Sequence, residues 1–184
     1  MQPEISYPEN MIPGLRFQFC PLCAAHLTRE IIFDDNIPRI RCPKCGWVQL
    51  STNAVGVVVV AKKGQEIVAI LPPGETGIGL PAGVVEYGED PAEAGIREVL
   101  EETGLEARIV DCLGWIFVKR ASWPGPTIEI LYEAEIVGGE LKGSEEGAAR
   151  MFTWKELPPI SPIRIGSQKA MEALRAKMGV DPKA

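Results

Sequence analysis

Histidine is almost missing from this sequence: His26 is the only one in 184 residues. A Ser-His-Asp arrangement would have to rest entirely on it, so chemistry of that kind is not expected. Long hydrophobic runs are missing too. No segment approaches the roughly 20 apolar residues that span a bilayer, so no membrane partner is expected. The opening stretch, MQPEISYPENMIPG, has neither a basic nor an apolar region of the kind a secretory signal carries, and a cytoplasmic location is the expectation. Basic residues are few, 19 Lys and Arg against 25 Asp and Glu, for a net charge of -6. A general nucleic-acid binder needs a basic face to neutralise phosphates, so such a partner is not expected. A phosphate-bearing small molecule stays open, because a bound divalent cation supplies positive charge locally. The hydrophobic fraction of 46% suffices for one solid core with a small appended module.

Four of the five cysteines fall into two Cys-x-x-Cys pairs, CPLC (Cys20, Cys23) and CPKC (Cys42, Cys45), with eighteen residues between them. Two thiolate pairs supply the four soft ligands of a closed tetrahedral zinc site, and this spacing lies in the expected range. With no open position for water or substrate, the site reads as structural. Gly46 suits the tight turn after Cys45. His26 reads as a surface or packing residue, and Cys112 is left over.

Residues 1-14, rich in proline and polar groups, read as an N-terminal arm. Residues 15-50 read as a zinc ribbon, and residues 51-184 as a second domain. AVGVVVVAKKGQEIVAIL reads as a hairpin of buried strands. PPGETGIGLPAG carries too many breakers for a regular element. A helix is expected from about Pro91 to Thr103, with Asp90 as N-cap, Pro91 at its first position, Glu93 completing a capping box and Gly104 as C-cap. ARIVDCLGWIFVK, TIEILYEAEIV and ARMFTW read as strands, and SQKAMEALRAKM as a closing amphipathic helix. The fold class is α/β, a mixed sheet between helices.

GVVEYGEDPAEAGIREVLEETGL, Gly83 to Leu105, holds seven acidic residues and one basic residue, Arg97. Glu98, Glu101 and Glu102 share one helix face. Enclosed at about 4 Å, each like-charge pair costs roughly 4 kcal/mol at an effective dielectric near 20. Such a face, if enclosed, holds either raised pKa values or a hard cation. Oxygen ligands favour magnesium or manganese. Gly83 lets the backbone approach, so the Ala82 carbonyl is a candidate further ligand.

This stretch resembles the Nudix box, Gly-x5-Glu-x7-Arg-Glu-U-x-Glu-Glu-x-Gly-U, where U is aliphatic. Gly83, Glu89, Arg97, Glu98, Val99, Glu101, Glu102, Gly104 and Leu105 match every fixed position. The resemblance implies an α/β/α sandwich and metal-dependent hydrolysis of a nucleoside diphosphate linked to another group. It implies that Glu98, Glu101 and Glu102 hold the catalytic metal, that Arg97 orients them and that Glu89 braces the box. A base or further ligand is expected from outside the box, with Glu145 and Glu146 as candidates and Glu86 as another residue facing the substrate.

A four-cysteine ribbon ahead of such a domain resembles the NADH pyrophosphatases and the FAD/ADP-ribose pyrophosphatases. Three departures stand out. The Ser-Gln-Pro-Trp motif of the first group is absent, since its spacing reaches Trp115. Ala121 replaces the proline of many ADP-ribose hydrolases. Ile78 stands where many relatives have tryptophan. The expected substrate is therefore ADP-ribose, FAD or a related dinucleotide such as NADH. The alternatives are a house-cleaning nucleoside triphosphate pyrophosphatase and a non-catalytic nucleotide sensor. Arg120 and Trp123 are candidate substrate contacts. Trp115 and Phe117 read first as strand core and second as stacking surfaces. A homodimer is compatible with the family.

Overall fold

The computed structural model describes residues 18–33, 38–49, 53–119 and 126–179. The N-terminal arm, Arg120 and Trp123 lie outside them. The described residues divide into two units, with the break at Asn53.

The first unit is a three-stranded antiparallel sheet, β1 (Thr28–Ile31), β2 (Pro38–Arg41) and β3 (Val48–Gln49), in that order. Among its described hydrophobic residues only Cys20 and Cys42 are buried. An apolar core of that size cannot offset the entropy of ordering the chain.

The second unit is built on β4 (Ala54–Lys63), β5 (Glu66–Leu71), β6 (Ala82–Val84), β7 (Leu105–Lys119), β8 (Pro126–Gly139) and β9 (Ala148–Thr153), with helices α1 (Pro91–Thr103) and α2 (Ile165–Met178). The sheet runs β7-β8-β4-β5-β9, and β4 pairs with β8 in parallel. Central strand β4 is apolar on both faces, as burial between two helical layers requires. Val57, Val59 and Ala61 pack with Ala94 and Val99 of α1. Val58 and Val60 pack with Ala170, Met171 and Leu174 of α2. The result is the expected α/β/α sandwich with a mixed sheet.

Two expectations need correction. The β4–β5 hairpin pairs only beside its turn, at Lys62↔Ile67 and Lys63↔Glu66. Over its first half β4 instead pairs with β6, a strand that begins in the last two residues of the stretch that seemed too rich in breakers to be regular. Cross-strand pairing to β4 overrides local propensity there, and Gly83 in its middle is required by what lies above it. Trp115 and Phe117 are also not core: they are 69% and 50% exposed. Strand β7 is an edge strand, so the face they occupy lies beyond the helical layer.

Helix α1 has the expected bounds. Asp90 Oδ1 accepts from the Ala92 N–H at 2.8 Å, and Gly104 closes the helix at φ 71°. Glu93 is exposed and adds no capping hydrogen bond among the described residues. Helix α2 begins two residues earlier than its amphipathic pattern suggests. Its last turn is tied to the sheet by Lys177, which reaches buried Glu133 at 2.6 Å and Asp111 at 2.8 Å.

Candidate active site and metal centre

In the ribbon, each Cys-x-x-Cys closes a turn of the same form. The Ala24 N–H donates to the Cys20 carbonyl and the Gly46 N–H to the Cys42 carbonyl, both at 2.9 Å. The residue after each second cysteine is left-handed: Gly46 at φ 80° and Ala24 at φ 55°, the latter the one non-glycine with positive φ among the described residues. The Leu22 and Cys45 N–H groups point at the sulfurs of Cys20 and Cys42. Burial raises the Cys42 thiol, but the N–H groups of Cys45 and Lys44 outweigh it and hold the thiol at about 6. The four Sγ atoms lie within 4.8 Å of one another, two pairs being 3.5 Å apart. A zinc tetrahedron with bonds of about 2.3 Å has edges of about 3.8 Å, so the donor set fits that ion. His26 lies against the Phe19 ring, with centroids 4.4 Å apart, and is not part of the set.

In the second unit, β6 and α1 build an acidic site. Strand β6 pairs with β4 through Val55, Val57 and Val59, so the alternate residues Ala82 and Val84 turn their N–H and C=O away from β4. Their other partners confirm the direction. The Ala82 N–H approaches Glu102 Oε1 at 3.4 Å, and the Val84 carbonyl accepts from Arg97 Nη2 at 3.0 Å. The Ala82 carbonyl lies on that same side, where it was expected as a ligand. A Cβ on Gly83 would fall on the Glu98 carboxylate, so only glycine leaves room for that side chain.

Arg97 organises the cluster. Its Nε and Nη2 hold Glu89 at 2.8 and 3.1 Å, and its Nη1 reaches Glu98 at 2.6 Å and Glu101 at 3.3 Å. Glu93, four residues before Arg97, is exposed and takes no part among the described residues. Glu89 in turn accepts from the Glu86 N–H at 2.9 Å. The Arg97 guanidinium and that N–H hold the Glu89 carboxyl down at about 2. Glu98 and Glu102 behave oppositely. Burial pushes Glu98 up, and it pushes Glu102 to about 8, with the charges of Glu98 and Glu146 adding to the effect. Glu101 is exposed. Among the described residues only the four cysteines form a tight donor cluster. The three box glutamates share a face but do not form such a cluster: the Arg97 Nη1 lies between Glu98 and Glu101, and Glu102 faces the Ala82 N–H. Desolvated carboxylates in a glycine cradle nevertheless suit a divalent cation, whose binding removes the cost of charging them.

Glu145 and Glu146 sit in the exposed turn before β9, and Glu146 is the one whose charge reaches Glu102. Glu86 is exposed beside Glu89. One feature escaped sequence reasoning. Arg164, at the start of α2, grips Glu75 bidentately at 2.9 and 3.0 Å and lies so close over Gly79 that a Cβ there would collide with it. Ser161 N–H donates to Ile78 O, and Ile78 N–H to Pro159 O. The loop leading into β6 is thus clamped by a segment about 85 residues downstream, and no local pattern signals a pair that distant.

Comparison with known proteins agrees with this geometry. Residues 50–174 match the NUDIX domain family, and residues 18–49 match the zinc-ribbon family described as Nudix N-terminal. A relative named NAD-capped RNA hydrolase NudC, from Pseudomonas aeruginosa, is 29% identical over 148 residues, covering 78% of this chain and 50% of its own. An ADP-ribose pyrophosphatase from Methanocaldococcus jannaschii is 37% identical over 83 residues, covering 45% of this chain and 49% of its own. The chain spans about half the length of these curated relatives. Among solved structures, a NUDIX hydrolase from Nitrosomonas europaea superposes with a TM-score of 0.66 at 22% identity over 89% of this chain and 94% of that one, a likeness of fold. The box, the sandwich that presents it and the ribbon in front of it lead to one conclusion: this chain belongs to the Nudix family, with the family's N-terminal zinc ribbon.

Proposed function

We propose that the chain hydrolyses the pyrophosphate bond of a nucleoside diphosphate linked to another group, with ADP-ribose, FAD or a related dinucleotide such as NADH as substrate. The observation that carries this reading is the Glu98 carboxylate seated on Gly83 beside buried Glu102, a pair of desolvated acids whose charged forms a divalent cation would stabilise. In this reading Glu98, Glu101, Glu102 and the Ala82 carbonyl hold magnesium or manganese. When bound, such an ion neutralises phosphate oxygens and acidifies a water. Arg97 keeps Glu98 and Glu101 aimed, and Glu89 fixes Arg97. Glu146, with Glu145 as second candidate, accepts the proton of the attacking water. Phosphoryl transfer asks for positioning and charge neutralisation, and this chain supplies both without a covalent nucleophile. The names of the two relatives, NAD-capped RNA hydrolase and ADP-ribose pyrophosphatase, support a diphosphate-linked nucleotide as the substrate class.

The same reading assigns residues 15-50 to a ribbon holding structural zinc, residues 51-184 to the hydrolase domain and residues 1-14 to an arm. It places the chain in the cytoplasm, where thiolates stay reduced for the metal. Among the described residues no helix is long and apolar enough to cross a membrane.

The test is a panel of ADP-ribose, FAD, NADH and nucleoside triphosphates with magnesium or manganese, with products identified by mass spectrometry. AMP with the complementary monophosphate is expected. Pyrophosphate released from triphosphates would move the chain to the house-cleaning class. Tight binding without turnover would make it a sensor.

A further inference from the structure

Arg97 and Arg164 both hold carboxylates, but they differ in what they have left to give. Arg97 donates all five of its N–H groups: Nε and Nη2 to Glu89, Nη2 to the Val84 carbonyl, and Nη1 to Glu98 and Glu101. The box saturates it. Arg164 donates only two among the described residues, from Nε and Nη2, and both go to Glu75. That uses one edge of the guanidinium. The adjoining edge, Nη1 with the second N–H of Nη2, keeps a fork that suits two phosphate oxygens. The side chain is 24% exposed, so it is not sealed in the core.

The sheet register puts Arg164 on the same side as the acidic site. Val68 packs with α1, so Ile70, two residues along β5, faces the same way. Gly79 is the antiparallel partner of Ile70 and exchanges both backbone hydrogen bonds with it, so the space over Gly79 opens on that face. The Arg164 guanidinium fills that space. Gly83 opens on the same face, under the Glu98 carboxylate, because its partner Val57 also packs with α1. Gly79 and Gly83 are four residues apart, no more than about 14 Å along an extended chain. Glu102 stands between them, facing the Ala82 N–H, and α1 ends at the next residue, Thr103. Glu98, Glu102 and Arg164 thus form one row of charged heads over Gly83, Ala82 and Gly79. Burial pushes the Glu102 carboxyl up, and the charge of Arg164 acts against that push.

A diphosphate brings further negative charge to a site already lined by glutamates. Cations held by the glutamates meet some of its oxygens. The others need donors, and Arg97 has none left. We propose that Arg164 is a substrate-binding residue whose free fork takes non-bridging oxygens of the diphosphate, and that Glu75 is the positioning residue that holds it there. The proposal rests on the pyrophosphatase reading for where the diphosphate lies.

The experiment separates a phosphate contact from a clamp. A clamp works only as a pair, so E75A and R164A would lose the same. On whichever panel substrate the wild type cleaves, R164A is expected to raise KM about tenfold or more, the size of a lost charged hydrogen bond, and more than it lowers kcat. E75A is expected to raise KM only several-fold, and E75A/R164A to match R164A. R164K, which keeps the charge and loses the fork, is expected to fall between R164A and the wild type. In a second arm, the full chain is titrated calorimetrically with ADP and with adenosine, in magnesium. R164A is expected to weaken ADP about tenfold and to leave adenosine unchanged. Equal KM in E75A and R164A overturns the proposal and leaves Arg164 a clamp. So does a return of E75A/R164A to the level of E75A, since the bared Glu75 carboxylate would then cause the loss. So does ADP bound as tightly by R164A as by the wild type, or by neither. If the wild type cleaves nothing in the panel, the pyrophosphatase reading fails, and the ADP arm alone decides Arg164.

Discussion

Gly83 shows how one missing side chain sets the chemistry. The Glu98 carboxylate lies where a Cβ would stand, so Gly83→Ala must push the acid, the strand or both. A displacement near 1 Å at a reacting centre costs on the order of a hundredfold in rate. Gly83→Ala is therefore expected to lower kcat by about that factor while circular dichroism stays native, and full activity would remove Glu98 from the site. Glu102 makes a second prediction. Burial raises its carboxyl from an ordinary 4.5 to about 8. Between those values the folded protein keeps a proton that the unfolded chain has released. The stability this group contributes is full below about 4.5 and is lost as pH rises through about 8. Metal-free protein is expected to lose on the order of a few kcal/mol across that window, and added magnesium to restore more at pH 8 than at pH 5.5, because metal binding needs the ionised acid. Denaturant unfolding at both pH values checks this. Glu102→Gln should flatten the profile, and a variant as pH-sensitive as the wild type would clear Glu102 of responsibility.

At the scale of elements, α1 was the most legible part of the chain because its ends carry their own chemistry. Asp90, Pro91 and Gly104 each satisfy or remove a backbone group that the helix leaves orphaned. Asp90→Ala is expected to cost about 1 kcal/mol, a fall of a few degrees in Tm that differential scanning calorimetry will register. Strand β6 was illegible for the converse reason: prolines and glycines hide a strand whose support comes from distant partners, its pairing with β4 and the side chains of Arg97 and Glu102 on its other side. For Trp115 and Phe117 the pattern itself was ambiguous. LGWIFVK is apolar at nearly every position, so periodicity cannot say which face is buried, and only the strand's place at the sheet edge leaves them open. The cysteine pairs announced the ribbon, but not that Ala24 takes the left-handed position that Gly46 fills in the other turn. Ala24→Gly removes a steric cost of roughly 1 kcal/mol and is expected to slow zinc release to a chelator, whereas faster release would mean the Ala24 backbone is unstrained.

At the scale of the whole molecule, the two units are stabilised by different physics. The second unit has apolar cores on both faces of its sheet, whereas the first buries hydrophobic side chains only at Cys20 and Cys42 among its described residues. Without a metal, four sulfurs within 4.8 Å of one another cannot all be thiolates, and little else holds the three short strands together. Folding of the first unit is therefore expected to be metal binding in thermodynamic terms, as in other small zinc modules. Treating the full chain with a thiol-modifying mercurial is expected to release one zinc per chain. After that treatment, hydrogen exchange should show amides of residues 20–49 exchanging as in an unfolded chain. Amides of β4, β8 and α1 should keep their protection, because the cores around Val57 and Val58 contain no metal-dependent contact. Loss of protection in both regions at the same mercurial concentration would mean that the hydrolase domain draws its stability from the ribbon, and that the two units form one cooperative folding unit.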